Sequence, residues 1–248
     1  MGKETHEAIV LRTVKYGEHD KMLTLLTKDA GKLSAVAKGA QSAKSRYLAS
    51  CQLFCRSEFV LSTSISGIPY VSGANVLSGY YNLKNDLERL AAASYCAELS
   101  DMLLEEGMGE GALYQLLGYT FLLLEKTTLS GVWTSTLAFV LKLLGLTGVY
   151  PILDKCAVCG KQAPRYYFDF SAGGLICGNC RDRDVVCPAI SDKEASFLYG
   201  LLHLELKKLG ELHSPEKKTQ KYLLHQLNEY ISYQYLKKSR SFGLLYSL

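Results

Sequence analysis

Two cysteine pairs carry the clearest chemistry in this chain, Cys156-Ala-Val-Cys159 and Cys177-Gly-Asn-Cys180. Each is a C-x-x-C, and the stretch between them runs from Gly160 to Ile176. That is the spacing of a four-thiolate zinc site. Zn2+ takes sulfur or nitrogen ligands in a tetrahedron, and each C-x-x-C turn offers two thiolates from one side of the metal. Gly160 and Gly178 supply the backbone freedom of tight metal-binding turns. Neither a histidine nor a carboxylate nearby marks an open catalytic position, so the site reads as a closed, structural zinc centre. Two disulfides would need an oxidising compartment, and Met1–Val10 holds no secretory signal. A redox pair of the thioredoxin kind is a single C-x-x-C, not two at metal spacing.

The remaining cysteines, Cys51, Cys55, Cys96 and Cys187, have no ligand spacing and are expected as small buried hydrophobes. Enzymatic motifs are missing from the sequence. It has no G-x-x-x-x-G-K-[ST] loop, no H-E-x-x-H and no G-x-S-x-G elbow. The five histidines are scattered, and Glu18-His19-Asp20 reads as turn chemistry rather than a catalytic set. The expectation is therefore a binding protein, not an enzyme.

A second polar signal is basic. Arg12 and Lys15 close the first predicted strand beside Tyr16-Gly17, Lys38-Gly39 ends another, and Lys44-Ser45-Arg46 sits in the long loop that follows. Cations in glycine- and serine-rich loops suit phosphate-backbone contact, with Tyr16 and Tyr47 as stacking surfaces for bases. Loop cations that only keep the surface solvated fit the same residues. Charge is unevenly placed. Residues 1–80 carry ten Lys/Arg against six Asp/Glu, net +4; residues 81–155 carry five against nine, net −4; residues 156–248 carry thirteen against nine, net +4. A polyanion would meet the ends rather than the middle.

These residues need elements to hold them. Five strand candidates, His6–Thr13, Lys21–Thr27, Lys32–Lys38, Gln52–Ser62 and Ile68–Leu77, fill the first eighty residues, with a turn at Asp29-Ala30-Gly31 and a link through Ser64–Gly67. Five short strands with one long connection, Gly39–Ser50, suit a small closed barrel, an OB-fold or an SH3-like one. From about Tyr80 the apolar spacing turns helical, with a stop at Gly107. Further helices are expected over about Ala112–Lys126 and Val132–Leu144, apolar nearly all round and so buried. Arg165–Phe170, then Ala172-Gly-Gly174, reads as a strand, a tight turn and a return to the second cysteine pair. Ser191 with Glu194 forms a capping box ahead of another helix, and Ser214-Pro215 is expected to open the last one. The two helical blocks are expected to pack into one bundle, with the zinc module as an excursion. No apolar run is long enough to span a membrane: Gly111–Leu124 is short, and Phe59–Leu83 is full of Ser, Gly, Thr and Asn. The fold class is α+β: an N-terminal five-stranded barrel at 1–80, helices at 81–150, a zinc module at 151–188 and completing helices at 189–248.

The order of barrel, helices, four-cysteine module and helices resembles the RecO family of bacterial recombination and repair mediators. Four stretches carry the likeness. They are Glu7–Arg12 with Tyr16–Lys21 and Leu23-Thr-Leu25; Gly31–Gly39 with Lys44-Ser-Arg46; Leu143–Gly148 with Pro151 and Leu153-Asp154; and Phe168–Cys180. The resemblance implies an N-terminal OB-fold, a central helical domain and a zinc element held by Cys156, Cys159, Cys177 and Cys180. It implies a non-enzymatic cytoplasmic role in the RecF pathway. Such proteins bind single- and double-stranded DNA, anneal strands, engage the acidic tail of single-strand-binding protein, and with RecR help load RecA. Arg12, Lys15, Lys38, Lys44 and Arg46 match the family's basic barrel positions. Gln41-Ser-Ala departs from it, where more basic or proline-containing loops are common. An enzyme on nucleic acid and a zinc-ribbon factor of the ribosome or polymerase are the competing classes.

Overall fold

The computed structural model describes residues 2–63, 67–104 and 111–248. The chain divides into two compact units, Met1–Lys126 and Thr127–Leu248. Ser64–Ser66 of the expected strand link, and the helix stop expected at Gly107, lie outside the described residues.

In the first unit five strands, β1 (Lys3–Tyr16), β2 (Asp20–Thr27), β3 (Lys32–Ala37), β4 (Arg56–Ser62) and β5 (Tyr70–Ser78), close into a barrel of order β1-β2-β3-β5-β4. Period-2 patterning drives the closure, since alternate residues point inward. Ala8 and Val10, Leu23 and Leu25, Ala35 and Ala37, and Phe59 and Leu61 share one buried core. β1 is long enough to serve two neighbours, pairing with β4 through Lys3–Ile9 and with β2 through Ala8–Tyr16. Its register slips between Val10 and Arg12, and such a bulge bends a strand around a small barrel. The ring closes where β3 meets β5 in parallel at Val36 and Tyr70. This is the OB-fold, not the SH3-like alternative.

One expected strand starts late. Gln52–Cys55 is turn, and Phe54 takes a left-handed φ of 70°. Burial explains why an aromatic residue sits there: Phe54 is fully enclosed and meets Phe121 edge-on at 5.2 Å.

A short 3-10 turn at Tyr81–Lys84 leads to α1 (Leu87–Leu103) and α2 (Gly111–Lys126). Asp86 caps α1 by accepting from the Arg89 N–H. Alanines 91, 92 and 93 let α1 lie close to its neighbours. Polar side chains tie both helices to the barrel. Lys32 of β3 donates to the Asp101 and Leu104 carbonyls at the end of α1 and to Asp101 Oδ1. Glu7 of β1 accepts from Tyr114 of α2 at 2.6 Å and from Arg56 of β4.

The second unit is built on α3 (Leu129–Leu146), packed by α4 (Asp192–His203) and α5 (Lys217–Tyr235), with α6 (Ser241–Ser247) against α5. One expectation is corrected by α3. It is long and apolar enough to cross a membrane by length and composition, at mean hydropathy 1.5, but 67% of it is buried in the fold. Its polar residues turn inward: Thr134 donates to Gln220 Oε1, and Thr136 to the Val132 carbonyl. The capping box forms as expected, Ser191 and Glu194 each serving the other's backbone N–H. The last long helix does not open at Ser214-Pro215. Its cap position is Glu216, because the Ser214 hydroxyl meets Thr134 at 2.9 Å instead.

Between α3 and α4 lies a three-stranded sheet of β6 (Arg165–Asp169), β7 (Gly174–Cys177) and β8 (Ala189–Ser191), in the order β7-β6-β8. It packs against α5. Phe168 of β6 stacks on Tyr230 of α5 at 5.4 Å, and Tyr222 donates to the Ala189 carbonyl. Gln234 donates to the Phe170 carbonyl.

Candidate metal centre and nucleic-acid interface

The β6–β7 hairpin brings the second cysteine pair back onto the first. Gly173 makes the turn at φ 72°, and Gly174 runs so close to Ile152 that a Cβ there would lie 2.5 Å from the Ile152 carbonyl oxygen. That contact holds the strand end against the segment entering the first pair. Each pair then closes its own turn: the Gly160 N–H donates to the Cys156 carbonyl, and the Cys180 and Arg181 N–H groups to the Cys177 carbonyl. The four sulfurs of Cys156, Cys159, Cys177 and Cys180 lie within 4.8 Å of one another, and Cys159 and Cys177 are 3.9 Å apart. Zinc–sulfur bonds of about 2.3 Å in a tetrahedron place sulfurs about 3.8 Å apart, so a small contraction fits the set to a metal.

Thiol electrostatics agree with that use. Burial opposes ionisation of Cys156, but N–H groups of Cys159, Cys177 and Val158 bring it down to about 6. The Cys177 N–H to Cys156 Sγ contact is 3.3 Å. Cys180 is pushed up to about 12 by hydrogen bonding with Cys177 and Cys159 and by burial. Cys156 is thus biased toward the thiolate that metal binding requires, and Cys180 toward the thiol. The four thiols can therefore hold a metal ion. Cys51, Cys55, Cys96 and Cys187 are buried, as expected, and burial pushes the Cys51 thiol up to about 11.

The structure separates the five basic residues. Lys38, Lys44 and Arg46 line one cleft of about 480 Å³, with Tyr70, Ser42, Ser45 and Ser72. Among the described residues none of the three cations pairs with a carboxylate. Lys38 lies 5.0 Å from the centre of the Tyr70 ring, and Arg46 lies 4.6 Å from that of Tyr47. Arg12 is elsewhere, in a cleft of about 240 Å³ that Glu98 and Asp101 also line. Lys15 sits on the β1–β2 hairpin opposite Lys21.

Of the two tyrosines proposed as stacking surfaces, Tyr16 is 47% exposed but Tyr47 is only 5% exposed. Tyr47 belongs to the barrel core, and its hydroxyl has no hydrogen-bond partner among the described residues. Sequence periodicity does not mark a loop tyrosine as core, because the loop has no period.

Two residues outside the expected set shape the cleft. Asp20 Oδ1 accepts from the Gly39 N–H at 2.8 Å. Gln41, the departure noted in the loop, donates through Nε2 to the Asp20 carbonyl at 2.7 Å and more weakly to that of Gly17. Its own N–H reaches the His19 carbonyl. The loop bearing Lys44 and Arg46 is thus latched to the β1–β2 hairpin through the Gly17–Asp20 turn.

Residues 1–80 match the family described as Recombination protein O N terminal, and residues 84–241 match Recombination protein O C terminal. Proteins named DNA repair protein RecO are similar over most of the chain. That of Caldanaerobacter subterraneus subsp. tengcongensis is 36% identical over 211 residues, 84% of either chain. That of Alkaliphilus metalliredigens is 36% identical over 231 residues, 93% of this chain and 91% of its own. The Halalkalibacterium halodurans protein is 30% identical over 244 residues, 98% of this chain and 95% of its own. With the barrel half and the helical half matched in turn, the chain belongs to the RecO family of DNA repair proteins.

Proposed function

We propose that this protein is a DNA-binding recombination mediator of the RecF pathway, working in the bacterial cytoplasm at the nucleoid. It binds single- and double-stranded DNA and anneals complementary strands. With RecR it helps load RecA onto strands coated by single-strand-binding protein, which it meets through that protein's acidic tail. It acts by binding, not by catalysis. The observation that carries the DNA reading is the cleft of Lys38, Lys44 and Arg46, three cations without carboxylate partners among the described residues, in the barrel of a DNA-repair family.

In this reading residues 1–80 are the DNA-binding domain, and residues 81–150, 151–188 and 189–248 are helical, metal and helical segments. Lys38, Lys44 and Arg46 take backbone phosphates, and Arg12 and Lys15 are outlying contacts. Neutralised phosphates release counterions, so affinity falls steeply with salt. Two strands held at one cationic surface repel each other less, which speeds pairing. Cys156, Cys159, Cys177 and Cys180 hold structural Zn2+, the ion that four thiolates in a tetrahedron favour. When bound, the ion cross-links the β6–β7 hairpin to the preceding turn and contributes folding energy. The thiolates themselves orient the hairpin through the Cys177 N–H and Cys156 Sγ contact.

The test is annealing of complementary oligonucleotides coated with single-strand-binding protein, with and without this protein. Acceleration that Lys44→Ala plus Arg46→Ala removes is the expected result. No acceleration by a folded, metal-loaded sample refutes the mediator reading.

A further inference from the structure

We infer that the cleft beside β5 is a single-strand site that takes one unpaired base on the Tyr70 ring, so that Tyr70 sets a preference for single strands over duplex. The inference rests on the DNA reading above and deepens it.

Tyr70 is a fixed platform. It forms the bridge to Val36 that closes the barrel, and Val36 N–H donates to the neighbouring Pro69 carbonyl. Its ring is half-buried and lines the cleft with Lys38, Lys44 and Arg46. Of the two tyrosines that line the cleft, Tyr47 is buried with Arg46 over it, whereas Tyr70 is part-exposed. What now covers the Tyr70 ring is a cation, the Lys38 ammonium at 5.0 Å. A cation–aromatic contact at a solvent-facing site is weaker than the stacking of a base on the same ring. The exchange therefore favours the base, and the displaced ammonium stays within reach of the phosphates beside it.

Size agrees. At about 480 Å³ the cleft falls within the range of small-ligand pockets, about 300–1,000 Å³. It can admit a nucleotide. A duplex keeps its bases stacked inside and can offer the cleft only phosphates. The cations then serve either form of DNA, and Tyr70 serves the single strand alone.

The experiment measures binding of the full chain to three labelled probes at fixed salt: a thymidine oligonucleotide, an abasic strand of equal length and a duplex. Tyr70→Leu should weaken the thymidine strand about tenfold and leave the abasic strand and the duplex within about twofold. Tyr70→Phe, which keeps the ring, should bind all three like the parent, and melting curves of both variants control for folding. Equal losses on all three probes, or no loss on the thymidine strand from a folded Tyr70→Leu protein, would overturn the inference while leaving DNA binding intact. Failure of the parent chain to bind any probe would overturn the DNA reading itself.

Discussion

Lys32 offers the sharpest test of how the barrel holds its first helix. Its ammonium donates to the Asp101 carbonyl at 2.7 Å, to Asp101 Oδ1 at 3.2 Å and to the Leu104 carbonyl. The Lys32 side chain is 12% exposed and that of Asp101 25%. These carbonyls end α1, where no intrahelical donor is left for them. Lys32→Met keeps the apolar stem and removes all three bonds. Removing one partner of a buried charged pair costs about 3–5 kcal/mol. A carboxylate still one-quarter open regains some hydration, which sets the expectation near the low end, about 3 kcal/mol. For a unit of this size that is a fall in Tm of about 10 °C. Thermal and urea melts read it directly. A double-mutant cycle with Asp101→Asn then separates the carboxylate's share from that of the carbonyls. Part of the loss should survive in the Asp101→Asn background, because two of the three acceptors are main-chain. A Tm unchanged within about 2 °C, or a loss that vanishes in that background, would refute the capping argument.

Other expectations follow from the same geometry. The Tyr114 hydroxyl, opposed by burial and helped by Arg56 and Lys28, lowers the Glu7 carboxyl below its ordinary 4.5. Its stabilisation is therefore complete above that value and lost as pH falls through the lower folded value, so Glu7→Gln should be less stable at neutral pH and flatter in acid melts. Asp20→Ala should loosen the latch on the loop carrying Lys44 and Arg46, seen as faster amide exchange at Gly39 and weaker DNA binding, with Asp20→Asn restoring part of it. Gly174→Ala should destabilise the second unit by about 1–3 kcal/mol or more, since its methyl meets Ile152 main chain rather than a movable side chain. Chelation should lower the melting temperature of the chain, and cobalt added to the stripped protein should give the absorption of a tetrahedral thiolate site; Cys177→Ser should abolish that spectrum.

Local signals were the legible ones. The cysteine spacing located all four gathered thiols, because a C-x-x-C knuckle encodes its geometry within a few residues. The Ser191–Glu194 box marked a helix start for the same reason. Alternating Leu23, Leu25, Ala35 and Ala37 marked strands. Long-range competition hid the rest. Ser214-Pro215 has the chemistry of a helix start, but Thr134, eighty positions earlier, takes the hydroxyl. Tyr47 lies in an aperiodic loop, so nothing local announced its burial. Tyr70 gained its place in the cleft only through a barrel closure that no stretch of sequence displays. The five cations looked like one set because they share a charge; strand direction and the slip after Val10 sent Arg12 to a different cleft.

The apolar character of α3 has a consequence for how this chain is made. The first unit is complete once Lys126 has left the ribosome, but α3 is covered by helices that come later, ending with α5 at Tyr235. At about 5–20 residues per second, the intervening synthesis leaves this segment uncovered for on the order of ten seconds. During that interval a nascent chain exposes a stretch that its hydropathy alone cannot tell from a membrane span. Holdase chaperones and membrane-targeting factors would compete for it. The yield of this protein in a cell would then depend on translation speed between α3 and α5 as well as on the stability of the finished fold.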